Sequence, residues 1–397
     1  MTGVEKRGFA SVPLRAAVQS KSFCTETGGA EHIIVVEPRE RGDFAIEQAA
    51  VAAGYSRALD ELGLQPESAV FRRIYLSEMP SQAEKLKDGG LLPRPNEDPV
   101  AISRVQQPPL TGAKVALLAY HVTDPAGVWK QRIGRGQLLV KKNGARHLWT
   151  TGLCAGAFSG TPSAEAQTRG VFAELIGALK ANAASLREHC VRTWVYVKDI
   201  DSLYSRMVES RRALFAEQGL TDETHYIAST GIGGECAHPS DVVALDAYSH
   251  LDLVPGQLSY LNDFDRMCPT HHYGVTFERG ASVSYGDRTQ CFISGTASID
   301  KNGEVMHLGN VRAQLDRALG NVEALLHAGS ARLEDLMYLI VYLRDPADFP
   351  CVRARLGELV ADLPALFVEG PVCRPEWLVE VEGVAVARQH KPELPRF

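Results

Sequence analysis

Two glutamates stand two residues apart near the end of the chain, in Leu378-Val379-Glu380-Val381-Glu382-Gly383. The alternation is that of a β-strand, whose successive side chains point to opposite faces, so Glu380 and Glu382 share one face and Val379 and Val381 the other. With the valines packed on helices, the glutamates face a sheet surface or an interface. Most such faces are solvated. A carboxylate in a half-buried interface pocket would instead have a raised pKa and could orient water or move a proton, which makes Glu380 the candidate catalytic residue. Cys373-Arg374-Pro375 lies just upstream. Arg374 could hold a substrate carboxylate through two parallel hydrogen bonds. Cys373 could be a nucleophile, although no histidine partner is visible, and otherwise it shapes a pocket.

Three further segments concentrate donors and acceptors. Ser294-Gly295-Thr296 ends an apolar strand with two hydroxyls and backbone N–H groups suited to an anion or a carbonyl oxygen, though a plain tight turn would look the same. The glycine-dense Thr230-Gly231-Ile232-Gly233-Gly234 offers the same choice and lacks the Gly-Lys-Ser/Thr of a phosphate-binding loop. Thr270-His271-His272-Tyr273-Gly274, with Arg279 beyond it, reads as a strand. Its adjacent histidines would point to opposite faces and could not easily share a metal, so neither a metal nor a cofactor is expected.

The elements that must position these residues are written three times. A glutamine-led amphipathic helix, a short loop and a strand of the form x-Tyr-aliphatic recur at Gln48 and Tyr75, Gln167 and Tyr196, and Gln314 and Tyr342. The tyrosines lie about 120 and 146 residues apart. Such periods exceed those of solenoids and indicate a triplicated domain, able to close into a ring with pockets between copies. The spacing divides the chain into a flexible tail over 1–30 and copies over 31–130, 131–255 and 256–397. Helices are expected over 45–62, 164–184, 202–218, 312–328 and 352–361, and each copy reads ββ-α-β-α-β. Helices on one face of a mixed sheet make an α+β sandwich, and three such sheets side by side make a β-lined centre. The first copy ends 114–119 as Lys-Val-Ala-Leu-Leu-Ala and the second ends 242–247 as Val-Val-Ala-Leu-Asp-Ala, so neither keeps a glutamate at the place of Glu380. One working site is therefore expected, built on Glu380, Arg374, Ser294 and Tyr273 and walled by a neighbouring copy.

The 397 residues carry a net charge of −6, which gives no electrostatic case for nucleic acid. No apolar run approaches the roughly 20 residues of a membrane-spanning helix. The first 30 residues lack the compact apolar stretch of a signal peptide. Eight scattered cysteines without a C-x-x-C pair suggest a reduced, cytoplasmic compartment.

These motifs carry two resemblances. Phe292 to Ala297, Gly309-Asn310-Val311 with Gln314, Val341-Tyr342-Leu343 and Leu378 to Gly383 fall in the order found in the Rid/YjgF family, small α+β proteins that form trimers with sites between subunits. The likeness covers all three copies and implies an intramolecular pseudo-trimer of Rid/YjgF-like (chorismate-mutase-like) sandwiches. It implies that Glu380 orients the water attacking an imine, that Ser294 and Gly295 contact substrate and that Tyr273 faces it. The family's carboxylate-binding arginine is missing, with Leu366 near its place. Copies two and three also resemble the chorismatases, which remove the enolpyruvyl group of chorismate. That likeness rests on 192–197, on Thr230 to Gly233, on Tyr273, Gly274, Phe277 and Arg279, and on Cys373 seven residues before Glu380. It implies a small carboxylate-bearing substrate, giving a hydroxybenzoate or a dihydroxy-cyclohexadienoate plus pyruvate. The alternatives are a Rid-type imine or enamine deaminase and a non-catalytic binder of a small carboxylate. A monomeric pseudo-trimer, able to associate further, is the expected assembly.

Overall fold

The computed structural model describes residues 15–93, 97–154, 163–235, 238 and 240–397. The first copy comprises β1 (Ala16–Cys24), β2 (Ala30–Pro38), α1 (Phe44–Leu62), β3 (Ala69–Leu76), the single turn α2 (Met79–Gln82), β4 (Ala101–Gln106) and β5 (Val115–Thr123). The second has β6 (Trp129–Gly134), β7 (Gln137–Lys142), β8 (Ala145–Cys154), α3 (Ala164–Ala181), α4 (Leu186–His189), β9 (Cys190–Val197), α5 (Ile200–Glu217), β10 (Ala228–Gly233) and β11 (Val243–His250). The third has β12 (Leu258–Tyr260), β13 (Gly280–Ser284), β14 (Arg288–Ala297), α6 (Val311–Ala328), β15 (Leu336–Leu343), α7 (Phe349–Leu359), β16 (Ala365–Glu369) and β17 (Val379–Arg388).

Each copy forms one mixed sheet, in the orders β1-β2-β5-β3-β4, β10-β9-β11-β8-β7-β6 and β12-β13-β14-β17-β15-β16. In all three the tyrosine strand sits between the last strand, antiparallel to it, and a parallel edge strand. The expected α+β sandwich repeat is thus present. Helices cover one face of each sheet. The other faces meet in a shared core where Phe71 stacks on Trp149 at 4.8 Å and Tyr248 on Phe292 at 5.3 Å between ring centroids.

Local chemistry accounts for the helix ends. Gly63 closes α1 with φ of 64°, a left-handed conformation that costs glycine nothing. Ser163 and Asn310 accept the N–H groups of Ala166 and Ala313 and cap α3 and α6. The repeated glutamines prove to be structural. Gln167 Oε1 accepts the N–H groups of Val242 and Val243, and Gln314 Oε1 accepts that of Leu378 at 2.9 Å. Each fixes the chain as it enters the last strand. In the first copy Glu47 takes this role on Lys114 N, while Gln48 donates to Leu86 O.

Three expectations need correction. The tail is in part ordered: 16–24 form β1, paired antiparallel along all of β2, which supplies the N–H and C=O partners that an edge strand would otherwise lack; residues 1–14 lie outside those described. Thr270–Tyr273 is a 3-10 turn ended by Gly274 at φ of 82°, not a strand. Among the described residues the first copy has no second long helix, α2 being four residues with proline in its first turn.

Candidate functional site

The sheet of the third copy breaks register at one point. Ile293 pairs with Gly383 and Thr296 with Val381, leaving Ser294-Gly295 as a bulge opposite Glu382, while Glu380 pairs with Ala297 just beyond it. The edge strand β10 of the second copy docks against this bulge, with Thr230 Oγ1 accepting the N–H of Gly295 at 2.8 Å and Ser294 Oγ accepting that of Ser229 at 2.9 Å. A Cβ on residue 295 would lie 2.2 Å from Glu380 Oε1. Glycine is therefore what lets the carboxyl group turn toward the interface.

The two glutamates meet different surroundings. Glu382 accepts from Arg192 at 2.7 Å and Trp194 Nε1 at 2.9 Å, takes the Thr230 hydroxyl as well, and lies 3.6 Å from Arg73. Arg73 also pairs with Asp246 at 3.3 Å. Three copies thus contribute to one buried, mutually neutralising cluster. Glu380 has no hydrogen-bond partner among the described residues and faces a small enclosed cavity of about 30 Å³, lined also by Tyr204, Arg211, Gly231, Tyr273, Arg279 and Cys373. Burial pushes its carboxyl up to about 8, with the Glu382 charge adding to the rise and Arg192 and Arg279 opposing it. Burial thus favours the neutral acid form of Glu380. Burial likewise pushes the Cys373 thiol and the Tyr273 hydroxyl up to about 12. A thiol in that state is not a nucleophile.

Of the residues singled out from sequence, Glu380, Tyr273, Arg279, Gly295, Cys373 and Gly231 meet on the cavity. Ser294, Thr296 and Thr230 stand behind it: the Ser294 hydroxyl donates to Glu278 O at 2.6 Å and the Thr296 hydroxyl to Ser294 O at 2.8 Å. Arg374 stacks on Tyr273 and Trp377, 4.9 and 4.8 Å from their ring centroids, and backs the wall. Arg279 donates to Cys268 O at 3.1 Å and keeps its buried Nε without a protein partner, free to meet an anion in the cavity.

Sequence reasoning missed Tyr204 and Arg211 of α5. Arg211 is buried, with Nε donating to Thr276 at 2.9 Å. Seven residues separate the two, so they share a helix face. That stripe was the available signal, yet nothing local says the face lies over another copy's glutamate. A cavity of this size holds about two waters. A ring-sized substrate needs more room than this cavity offers as it stands.

Residues 282–387 match the family model described as Endoribonuclease L-PSP. A 3-hydroxybenzoate synthase of Streptomyces hygroscopicus is 26% identical over 262 residues, covering 59% of this chain and 73% of that protein. The 3-aminoacrylate deaminase RutC of Acinetobacter baylyi is 29% identical over 96 residues, covering 24% of this chain and 76% of its own length. Among solved structures, a chorismatase superposes with a TM-score of 0.61 at 17% identity, covering 94% of this chain and all of its own. At that identity the likeness establishes the fold.

Proposed function

We propose that this protein, a chorismatase-like enzyme whose third copy belongs to the Rid/YjgF (L-PSP) family, removes the enolpyruvyl group of chorismate at the pocket between its second and third copies. The observation that carries the reading is a buried carboxyl group, Glu380, facing a pocket with two buried arginines, where burial favours its acid form. Enol ethers are cleaved by protonation on carbon, which needs such an acid. Glu380 delivers its proton to the terminal CH2 carbon, and positive charge develops on the carbon bearing the ether oxygen. Arg211 and Arg279 hold the substrate carboxylates and keep them out of water. Water adds to that carbon and returns a proton to Glu380. The C–O bond then breaks, leaving pyruvate and a ring hydroxyl. If the ring instead aromatises, pyruvate and a hydroxybenzoate together account for every atom of chorismate. Cys373, neutral against the pocket wall, shapes the space around the ring.

The working unit in this reading is one chain whose copies complete the ring, with further association left to solution measurement. Among the described residues no helix is long and apolar enough to cross a membrane. Cys24, Cys190, Cys268, Cys291, Cys351 and Cys373 carry free thiols, which favours a reducing compartment such as the cytoplasm.

Incubation with chorismate, with pyruvate read through a coupled dehydrogenase and aromatic products by chromatography, tests the proposal. Chorismate left intact at micromolar enzyme would sink it. A second reading, hydrolysis of an imine or enamine, is favoured by the match of 282–387 to the L-PSP model and by the deaminase relative. There Glu380 would position water on the C=N carbon, and ammonia release would be the readout.

A further inference from the structure

The strand registers place a second cleft where the ring's symmetry demands one. On β11, Ala244 pairs with Tyr196, as Glu380 pairs with Tyr342 on β17. The β8–β11 pairing skips Thr151-Gly152, as β14–β17 skips Ser294-Gly295. On β4, Arg104 stands one residue before the partner of Tyr75, as Gly231 stands before the partner of Tyr196. The corresponding residues Ile102, Arg104, Gly152, Cys154 and Ala244 line a cavity of about 370 Å³ between the first and second copies.

Its contents differ from those of the Glu380 pocket. Arg104 is joined by Arg132 of β6 and Arg135 in the β6–β7 turn. Among the described residues no carboxylate lines the cleft; the exposed Glu84 acts on Arg104 electrostatically from outside its lining. The turn is built into place. Gly136 has φ of 65°, its carbonyl accepts Thr151 N–H at 2.7 Å, and a Cβ there would lie 2.2 Å from Thr151 O. Met79, Leu92, Pro93 and Ile102 supply an apolar wall.

We propose that this cleft binds a small organic dicarboxylate without turning it over. Arg104, Arg132 and Arg135 grip the two carboxylates as planar forks. The apolar wall takes the carbon skeleton, and Ala244 leaves no acid to do chemistry.

The experiment is calorimetric titration of the full chain with benzene-1,3-dicarboxylate, a probe independent of the chorismate reading. R104A/R135A weakens one binding event by about tenfold or more, while E380Q leaves that event unchanged. Inorganic phosphate at equal concentration does not displace the probe. An isotherm indifferent to R104A/R135A overturns the site, as does competition by phosphate, which would mark a generic anion patch. In crystals soaked with the probe, density in the Glu380 pocket alone overturns it as well. R104K/R135K guards against a folding artefact, since it keeps the charge and loses only the fork. Failure of chorismate turnover leaves this test unaffected.

Discussion

The second–third interface encloses a carboxylic acid in a tight cavity of about 30 Å³, while the first–second interface holds arginines around an open one of about 370 Å³. Both are made by the same device, a two-residue bulge ending in glycine that faces the edge strand of the preceding copy. The third interface lacks it: β2 and β5 pair in unbroken register, Ala116 stands at the place of Glu380, and the buried Phe367 ring stands where the second copy has Gly231. The bulge therefore makes a pocket, and a few side chains around it decide its chemistry. Arg104 for Gly231 and Ala244 for Glu380 separate the two pockets most sharply.

The largest expected break in this comparison is Glu380→Gln, which keeps the shape and removes the proton. Pyruvate release from chorismate should fall by about a thousandfold with the fold intact by circular dichroism. Next come the two bulge glycines. Gly295→Ala pushes a methyl into the Glu380 carboxyl and should cost roughly a hundredfold in kcat. Gly152→Ala meets nothing within 4 Å but sits at φ of 64°, so it should lower stability by about 1 kcal/mol and leave turnover unchanged. Equal losses in the two variants would break the distinction between the pockets.

A pH series sharpens it further. Because burial raises the Glu380 carboxyl to about 8, the acid form is present below that pH. The rate should fall about tenfold per unit above it. Stability follows the same sign: the folded state holds the proton more tightly than an unfolded glutamate of pKa about 4.3, so stability present below that pH is lost as pH rises through about 8. The melting temperature of the wild type should drop between pH 5 and 9 relative to Glu380→Gln by roughly 3 °C or more. The smallest effect concerns transplantation. Ala244→Glu in the Glu380→Gln background should leave pyruvate release at background, since none of Tyr204, Arg211, Arg279 and Tyr273 lines the first–second cleft. Recovered activity would mean that a glutamate at the bulge suffices.

Much of the scaffold was legible because it is local. Helical spacing, the cap residues and the Asn143-Gly144 hairpin, with φ of 48° and 83°, depend on neighbours in sequence. The strand β1 was not legible, because its pattern of small and polar residues gains meaning only from pairing along β2. The repeated glutamines were legible as a mark but not as a function, since the partners they hold at the last strand lie 62 to 76 residues away in the second and third copies. In the site, Glu380 and Cys373 could be named from their strand and its approach. Ser294 and Thr230 could be named too, yet their hydroxyls are spent joining two copies, and Tyr204 and Arg211 come from a helix that only the ring brings over the pocket.

The sequence by itself determined the three copies, their α+β order and the loss of the glutamate from two of them. Those features follow from periodicity and residue type. Tertiary structure alone decided which of two glutamates on one strand face is tied into ion pairs and which faces a cavity. Their local sequences are nearly the same. Glu382 meets Arg192, Trp194 and Thr230 of another copy and is tied into a charge cluster, whereas Glu380, two residues earlier, meets a closed cavity and is left to be neutral. Burial and partner charge set that difference, and both arrive from residues distant in the chain.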